Sequence, residues 1–250
     1  MRKHFWMIFI SLFSCLFFFQ KANATNSIRN EYENTGKVIW EVKTTEKIVA
    51  LTFDDGPNPL YTPDILNALA KYKAKATFFV TGEQAERYPE IIKREANEGQ
   101  EIANHTYNHH YKDDSDSDNL KEELMNTANI IKKITGKKPT LFRPVGGYLN
   151  KQIINTAFNN GYLTVLWSWH QDTKDWSKPG IEKITENVIS DTRPGDIIIL
   201  HDSGGDRSQT VKALENILKI LYKEGFTCVT VSDMLYRSES IVPKPFQVTP

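Results

Sequence analysis

The segment IVALTFDDGP at residues 48–57 decides the fold, because a short apolar run ends there in two aspartates and a turn. Residues 63–72 then place apolar side chains on one face of a helical pattern, and residues 77–81 form another short apolar run. A strand, a helix and a second strand in this order are typical of a parallel β–α–β unit. The segment therefore predicts a parallel sheet covered by helices.

The same alternation continues along the chain and indicates one large α/β domain. Short runs rich in β-branched and aromatic residues occur at 48–53, 77–81, 101–103, 140–142, 163–167, 196–200 and 227–231, with a further short run at 37–40. Because these runs are apolar almost throughout, they fit strands that are buried on both faces. We expect a closed or nearly closed β/α barrel, and an open doubly wound sheet is the alternative.

Both ends of the chain differ from this pattern. Residues 2–4 are polar, residues 5–19 are almost entirely apolar, and Ala22-Asn23-Ala24 has the small residues of a cleavage site. This combination is typical of a secretory signal peptide, and the apolar run is short for a membrane span. We predict a signal peptide at 1–24 cleaved after Ala24, a segment at 25–46, the main domain at 47–235 and a tail at 236–250. A retained N-terminal anchor is the alternative to cleavage.

These features constrain the location and the partners of the chain. The signal segment predicts a secreted, extracellular or cell-wall protein that meets a membrane only through that segment. The chain has 31 basic and 31 acidic residues, and a net charge of zero argues against a nucleic-acid binder, whose affinity depends on neutralised phosphates. Cleavage leaves one cysteine, Cys228, in an apolar strand pattern, which predicts a buried thiol and no disulfide. We expect a monomer.

Titratable residues gather directly after five of the predicted strands. In β/α barrels the groups that carry chemistry lie at the carboxyl ends of the strands, so such clusters converge in space. The clusters are Asp54-Asp55-Gly56-Pro57, His105-Thr-Tyr-Asn-His109, Arg143-Pro144, Asp172-Thr-Lys-Asp175-Trp176 and His201-Asp202. Their order predicts a single polar site at one end of the barrel.

His105 and His109 are four residues apart, a spacing that puts both imidazoles on one side of a helical turn. One carboxylate of the Asp54-Asp55 pair would complete a site of two histidines and one carboxylate for a divalent metal ion. Zinc is the metal that we expect first, and cobalt, nickel or iron suit the same ligands. The second aspartate is then free to take a proton, and Arg143 is suited to hold it ionised.

His201 ends the most apolar of the predicted strands and is a candidate general acid. Such a histidine needs a carboxylate that orients its ring, and Asp175 and Asp202 both qualify by position. A lone histidine at a strand end is more often structural, so this assignment depends on the other four clusters.

Taken together, these clusters resemble the five motifs of the polysaccharide deacetylase family, the NodB-homology domain of carbohydrate esterase family 4. TFDDGP at 52–57, HTYNH at 105–109, Arg143-Pro144, DTKDW at 172–176 and Leu200-His201 stand in the order that the family shows. The resemblance implies a distorted (β/α)7 barrel. It also implies a secreted, metal-dependent enzyme that releases acetate from N-acetylglucosamine-type residues of a polysaccharide, either peptidoglycan or a chitin-like glycan.

The resemblance also implies a role for each matched residue. Asp54 is the general base, positioned by Arg143, while Asp55, His105 and His109 hold the metal ion. Asp175 orients His201, which is the general acid. The implied substrate-binding residues are Trp176, Pro144, Gly146, Tyr148, Ile199 and Leu200.

Two of the five motifs depart from the sequences that are usual in the family. The third motif reads RPVGGY at 143–148, where a second proline and an aromatic residue usually follow Arg-Pro, and Ile199 stands where leucine is usual. These changes alter the wall of the expected groove and leave the metal-binding residues intact. One alternative function is O-deacetylation of acetylated xylan, and another is a catalytically silent glycan-binding module.

Overall fold

The structure is a computed structural model that describes residues 29–110 and 117–238. Within these residues, eight short strands alternate with helices along the chain. The strands are β1 (Val38–Ile39), β2 (Ile48–Asp54), β3 (Ala76–Val80), β4 (Glu101–Asn104), β5 (Leu141–Phe142), β6 (Leu163–Val165), β7 (Ile197–His201) and β8 (Thr227–Cys228). The predicted signal peptide at 1–24 and the tail from residue 239 onwards lie outside the described residues.

Helices connect the strands and cover the sheet. They are α1 (Thr62–Lys71), α2 (Gly82–Arg87), α3 (Pro89–Asn97), α4 (Ser117–Thr135), α5 (Lys151–Asn159), α6 (Ile181–Ile189), α7 (Ser208–Lys223) and α8 (Val231–Arg237), and residues 29–33 are also helical. The predicted helix at 63–72 corresponds to α1, which has proline and an acidic residue in its first turn and Lys71 in its last. These residues suit the partial charges at the two helix ends.

The strands form one curled parallel sheet. Their order is β1-β6-β5-β4-β3-β2-β7, β8 pairs with the start of β2, and every strand pair is parallel. Between the two ends of this order, isolated bridges join Glu41 to Asp196 and Asp172 to Ile199. The sheet therefore curls far enough for its two edges to meet. This confirms the predicted single-domain α/β fold with a distorted (β/α)7 barrel.

The core has two layers because the strands are buried on both faces. All seven residues of β2 are buried. One layer fills the space between the sheet and the covering helices, and it includes Leu51, Ile198 and Leu218. The other lies inside the curled sheet and includes Ala50, Phe79 and Ile197. Each large apolar side chain buried in this way contributes about 1.5–3 kcal/mol. Among the described residues, no helix has the length and apolar character that a membrane crossing requires.

Several element boundaries differ from the sequence prediction for local reasons. The predicted strand at 163–167 ends at Val165, and the one at 227–231 ends at Cys228 because Val231 already begins α8. Cys228 is buried, as expected, and burial raises the pKa of its thiol to about 12.

Candidate active site

The carboxyl ends of the strands bring the predicted site residues to one end of the barrel. Asp54 is the last residue of β2 and His201 is the last of β7, and the two are paired positions in adjacent strands. Neighbouring strands lie about 4.8 Å apart, and directly paired residues point to the same face. The carboxylate and the imidazole therefore flank one space at the mouth of the barrel.

Asp55, His105 and His109 converge beside that space. Asp55 Oδ1 lies 2.9 Å from His109 Nε2 and 3.5 Å from His105 Nε2. One ligand atom from each residue lies within 4.8 Å of the other two. Asp55 takes this position because its backbone is left-handed, with φ of 76°, directly after the strand. Two imidazole nitrogens and a carboxylate oxygen are donors that zinc and related ions prefer, so these residues fit a divalent metal ion.

The loop that carries the two histidines is not a helical turn, which corrects the prediction from their spacing. Residues 105–110 contain no helix. Thr106 and His109 have left-handed backbones, with φ of 68° and 57°, and this conformation interrupts a right-handed helix. Glu123 of α4 anchors the loop instead, because its Oε2 accepts hydrogen bonds from two backbone N–H groups of the loop, both at 2.7 Å.

Hydrogen bonding orients the ring of His105. Its Nδ1 donates to the backbone carbonyl of Arg143 at 2.7 Å, so Nε2 is the atom that faces Asp55. Burial would lower the pKa of His105, but the charge of Asp54 and the hydrogen bond to Asp55 outweigh it and raise that pKa. Burial would likewise raise the pKa of Asp55, yet its hydrogen bonds with both histidines hold it well below the ordinary value. Asp55 is therefore an ionised carboxylate.

Arg143 fixes the second aspartate. Its side chain is fully buried, and Nη1 donates to Asp54 Oδ1 at 2.7 Å and to Thr52 Oγ1 at 2.8 Å. Nε and Nη2 donate to the backbone carbonyls of residues 165 and 166, both at 3.0 Å. A guanidinium held by four acceptors keeps one Asp54 oxygen in place, while Asp54 Oδ2 lies on the side of His105, 3.9 Å from its Nε2.

Asp175 orients His201. Its Oδ1 accepts a hydrogen bond from His201 Nδ1 at 2.7 Å, and its Oδ2 accepts from the His201 backbone N–H at 2.9 Å and from Thr210 Oγ1 at 2.8 Å. Burial would lower the pKa of His201, but the hydrogen bond and charge of Asp175, with the charges of Asp54 and Asp55, raise it to about 9. His201 is therefore protonated at neutral pH. Because Asp175 accepts from Nδ1, the second N–H donor of the ring is at Nε2.

Asp202, the other carboxylate considered for His201, has a different place. It is fully buried, accepts a hydrogen bond from Thr62 Oγ1 at 2.5 Å, and donates from its backbone N–H to the Asp54 carbonyl at 3.2 Å. Burial is the main cause that raises the pKa of Asp202, to about 7. Asp202 thus supports the loop after β2 and leaves the orientation of His201 to Asp175.

Two of the predicted substrate-binding residues are exposed, and two others lie in the segment directly after Arg143. Trp176 is 57% exposed and Tyr148 is 47% exposed. Pro144 leads into the 3-10 turn Val145–Gly147, in which Gly146 has a left-handed backbone with φ of 60°. The glycines of the third motif thus let the chain turn tightly next to Arg143.

Leu200 does not line the site, which corrects its predicted role. Side chains alternate between the two faces of a strand, so Ile199 and His201 share one face of β7 and Leu200 points to the other. Leu200 is fully buried in the layer between the sheet and the helices. Ile199 is 4% exposed and lies on the face that also carries His201.

Sequence reasoning missed the polar residues on helices that support the site. Glu123 of α4 holds the histidine loop. Thr210 of α7 donates a hydrogen bond to Asp175, and Thr62 of α1 donates one to Asp202. Each is separated from its partner by 15 or more residues in the chain. No local pattern marks such a residue, because its role depends on how the helix packs against the strand ends.

Comparison with known proteins gives consistent matches. A sequence profile described as Polysaccharide deacetylase matches residues 41–165. A peptidoglycan-N-acetylglucosamine deacetylase of Bacillus cereus is 50% identical over 208 residues, which are 83% of this chain and 97% of that protein. A chitooligosaccharide deacetylase of Bradyrhizobium sp. is 36% identical over 190 residues, covering 71% of this chain and 86% of that protein. A solved structure of a peptidoglycan N-acetylglucosamine deacetylase superposes with a TM-score of 0.78 at 35% identity, covering 82% of this chain and 95% of the other.

Proposed function

We propose that this chain, which belongs to the polysaccharide deacetylase family, is an exported, metal-dependent enzyme. Its proposed substrate is the N-acetylglucosamine of peptidoglycan. Its reaction class follows from the family: hydrolysis of N-acetyl amides on a polysaccharide. One observation carries the proposal. A metal-ligand trio lies beside the space that is flanked by a carboxylate held by an arginine and an imidazole held by an aspartate.

Asp55, His105 and His109 are the residues that would hold the ion, through Asp55 Oδ1 and the Nε2 atoms of the histidines. When bound, a divalent ion polarises the acetyl carbonyl and makes water more acidic. The protein contributes the geometry: the carbonyl of Arg143 orients His105, and Glu123 holds the loop of His109.

Asp54 takes a proton from the attacking water in this proposal. Its Oδ1 is held by Arg143 at 2.7 Å, which leaves Oδ2 as the oxygen that faces the reacting atoms. The arginine itself is fully buried and hydrogen-bonded at every branch of its guanidinium, so the pair is rigid. A rigid base is pre-positioned for proton transfer.

His201 gives a proton to the departing amine. It faces the same space as Asp54 from the adjacent strand, and its raised pKa means that the proton is present at neutral pH. Asp175 engages Nδ1, so the proton that leaves is the one on Nε2. A base and an acid on paired strand positions can act on opposite sides of one amide bond.

Exposed aromatic side chains suit a sugar polymer. Trp176 and Tyr148 are exposed, and a groove of about 660 Å³ is lined by Trp167, Trp169 and the glycines of the Val145–Gly147 turn. Trp169 is 65% exposed. Flat apolar rings of this kind stack on the faces of sugar rings, which supports binding of a chain longer than one residue.

Export is part of the proposal and is supported by the signal-peptide pattern of residues 1–24. An exported protein reaches peptidoglycan directly. N-terminal sequencing of protein recovered outside the cell should begin at Thr25, and a chain that keeps residues 1–24 there would contradict cleavage.

The substrate assignment is tested by acetate release from purified peptidoglycan, chitin oligomers and acetylated xylan, each with and without a chelator. We expect the highest kcat/KM on peptidoglycan, loss of activity with chelator, and recovery with added zinc or cobalt. Preferred release from xylan would replace the N-deacetylase proposal with the O-deacetylase alternative. No release from any substrate, with the ion bound, would favour a silent binding module.

The rate should fall at alkaline pH because His201 must carry a proton. Its pKa is raised to about 9, so the protonated acid is present below that pH and is lost as the pH rises through it. Asp175→Asn removes the carboxylate charge that does most to raise this pKa, so the alkaline limb of the pH–rate profile should move to lower pH. An alkaline limb at the same pH in both proteins would contradict His201 as the acid.

A further inference from the structure

A second group of metal-ligand side chains lies where the two edges of the sheet meet. We call Glu41, His170 and Asp196 the seam cluster, because Glu41 follows β1, His170 follows β6 and Asp196 precedes β7. Isolated bridges, one of them between Glu41 and Asp196, join the sheet edges there, and the Val42 N–H donates to the Gly195 carbonyl at 2.9 Å. The cluster therefore sits where the barrel closes.

The seam cluster has the geometry of a metal site. One ligand atom from each of its three residues lies within 4.8 Å of the other two, as in the trio of Asp55, His105 and His109. His170 Nε2 is 2.9 Å from Asp196 Oδ2. Ligands that share a zinc ion at about 2.1 Å are about 3.4 Å apart, so small side-chain movements would suffice. One imidazole and two carboxylates also neutralise the charge of a divalent ion.

The environment holds one ligand still and leaves the site accessible. Asp196 is 2% exposed, and its Oδ2 accepts hydrogen bonds from the backbone N–H of Arg193 at 2.8 Å and from Gln171 Nε2 at 3.3 Å. All three residues of the cluster line an open cavity of about 660 Å³. Glu41 Oε1 pairs with Arg29 Nη2 at 3.0 Å, so an ion that binds here takes the place of this partly buried pair.

We propose that the seam cluster binds a second divalent cation of the zinc class, which cross-links three distant segments of the chain and stabilises closure of the barrel. Asp196 is five residues before His201 along an extended chain, so the two residues lie about 16 Å apart and the second ion takes no part in hydrolysis. The described residues contain a single cysteine and so no disulfide among themselves. A bound ion would supply the cross-link that is missing there.

The test is the zinc stoichiometry of chelator-stripped protein titrated with Zn²⁺ alone, by calorimetry and by metal analysis. The wild-type protein should bind two equivalents, His109→Ala and His170→Ala one each, and the double variant none. Glu46→Gln is the matched control, since Glu46 lines the same cavity but is outside the cluster, and it should bind two. One equivalent in the wild type, or two in His170→Ala, would overturn the proposal.

A second measurement separates a metal site from a merely structural contact. In His109→Ala, zinc at about 100 times its Kd should raise the unfolding midpoint by about 5–10 °C, and the increase should vanish in His109→Ala/His170→Ala. Glu41→Gln changes a cluster residue that does not line the groove of Trp167 and Trp169, so it should release acetate within about twofold of the wild-type rate. If zinc leaves the midpoint of His109→Ala unchanged, the seam cluster is not a cation site, and the deacetylase proposal is unaffected.

Discussion

The Asp54→Asn variant should lose about 10²–10⁴-fold in kcat while it keeps its divalent ion. An amide cannot take a proton from water, but its oxygen still accepts the hydrogen bond that Arg143 donates to Asp54 Oδ1. The buried arginine thus remains partnered, although it loses its counter-charge. Acetate release and metal content, both measured on the same folded preparation, check the prediction.

The matched control is Asp55→Asn, at the next residue. Asp55 is one of the three candidate ligands, so its variant should lose bound metal as well as activity. The two adjacent aspartates are thereby distinguished by metal content and not by activity. Activity of Asp54→Asn near the wild-type rate would show that the proton is taken by another group.

The His105→Ala variant should lose both metal and activity. Removing a partner that only orients a metal ligand costs about 10–100-fold in metal affinity or activity, and removing the ligand itself should cost more. His105 is 1% exposed and makes its Nδ1 hydrogen bond to the carbonyl of Arg143, so the change also leaves that carbonyl without the imidazole donor. Circular dichroism should verify the fold before metal content and acetate release are compared.

His110→Ala is the control for His105→Ala, because His110 lies in the same loop and is outside the Asp55–His105–His109 trio. It should retain the ion and most of the activity. Equal losses of metal in both variants would mean that the loop, and not the specific imidazole of His105, determines binding.

The sequence predicted the fold because its signals are local. Each strand is a short apolar run, and each of these runs lies within a few residues of a strand in the structure, from β2 at Ile48–Asp54 to β8 at Thr227–Cys228. The resemblance to the polysaccharide deacetylase family, recognised from five motifs, is confirmed by the profile match and by a relative that is 50% identical. Motifs at strand ends were informative because parallel strands in a barrel end on one side.

Other features depended on packing that no local pattern records. The spacing of His105 and His109 predicted a helical turn, whereas the loop is held by Glu123 in α4 and has left-handed residues at 106 and 109. Thr62 stands at the start of α1, where Tyr61 is the N-cap, and the Thr62 hydroxyl donates to Asp202. In both cases the hydrogen-bond partner is remote in the chain.

The choice between Asp175 and Asp202 as partner of His201 shows the same division. Asp202 directly follows His201 in the sequence and Asp175 follows β6, so both qualified by position. Only the tertiary structure brings Asp175 Oδ1 within 2.7 Å of His201 Nδ1 and buries Asp202 under the loop after β2. The chain by itself determined which residue types stand at the strand ends, because periodicity and motif order are properties of neighbouring residues. Only the closure of the sheet decided which of those side chains meet, because hydrogen bonds and ion contacts form between residues that are adjacent in space and remote in the chain.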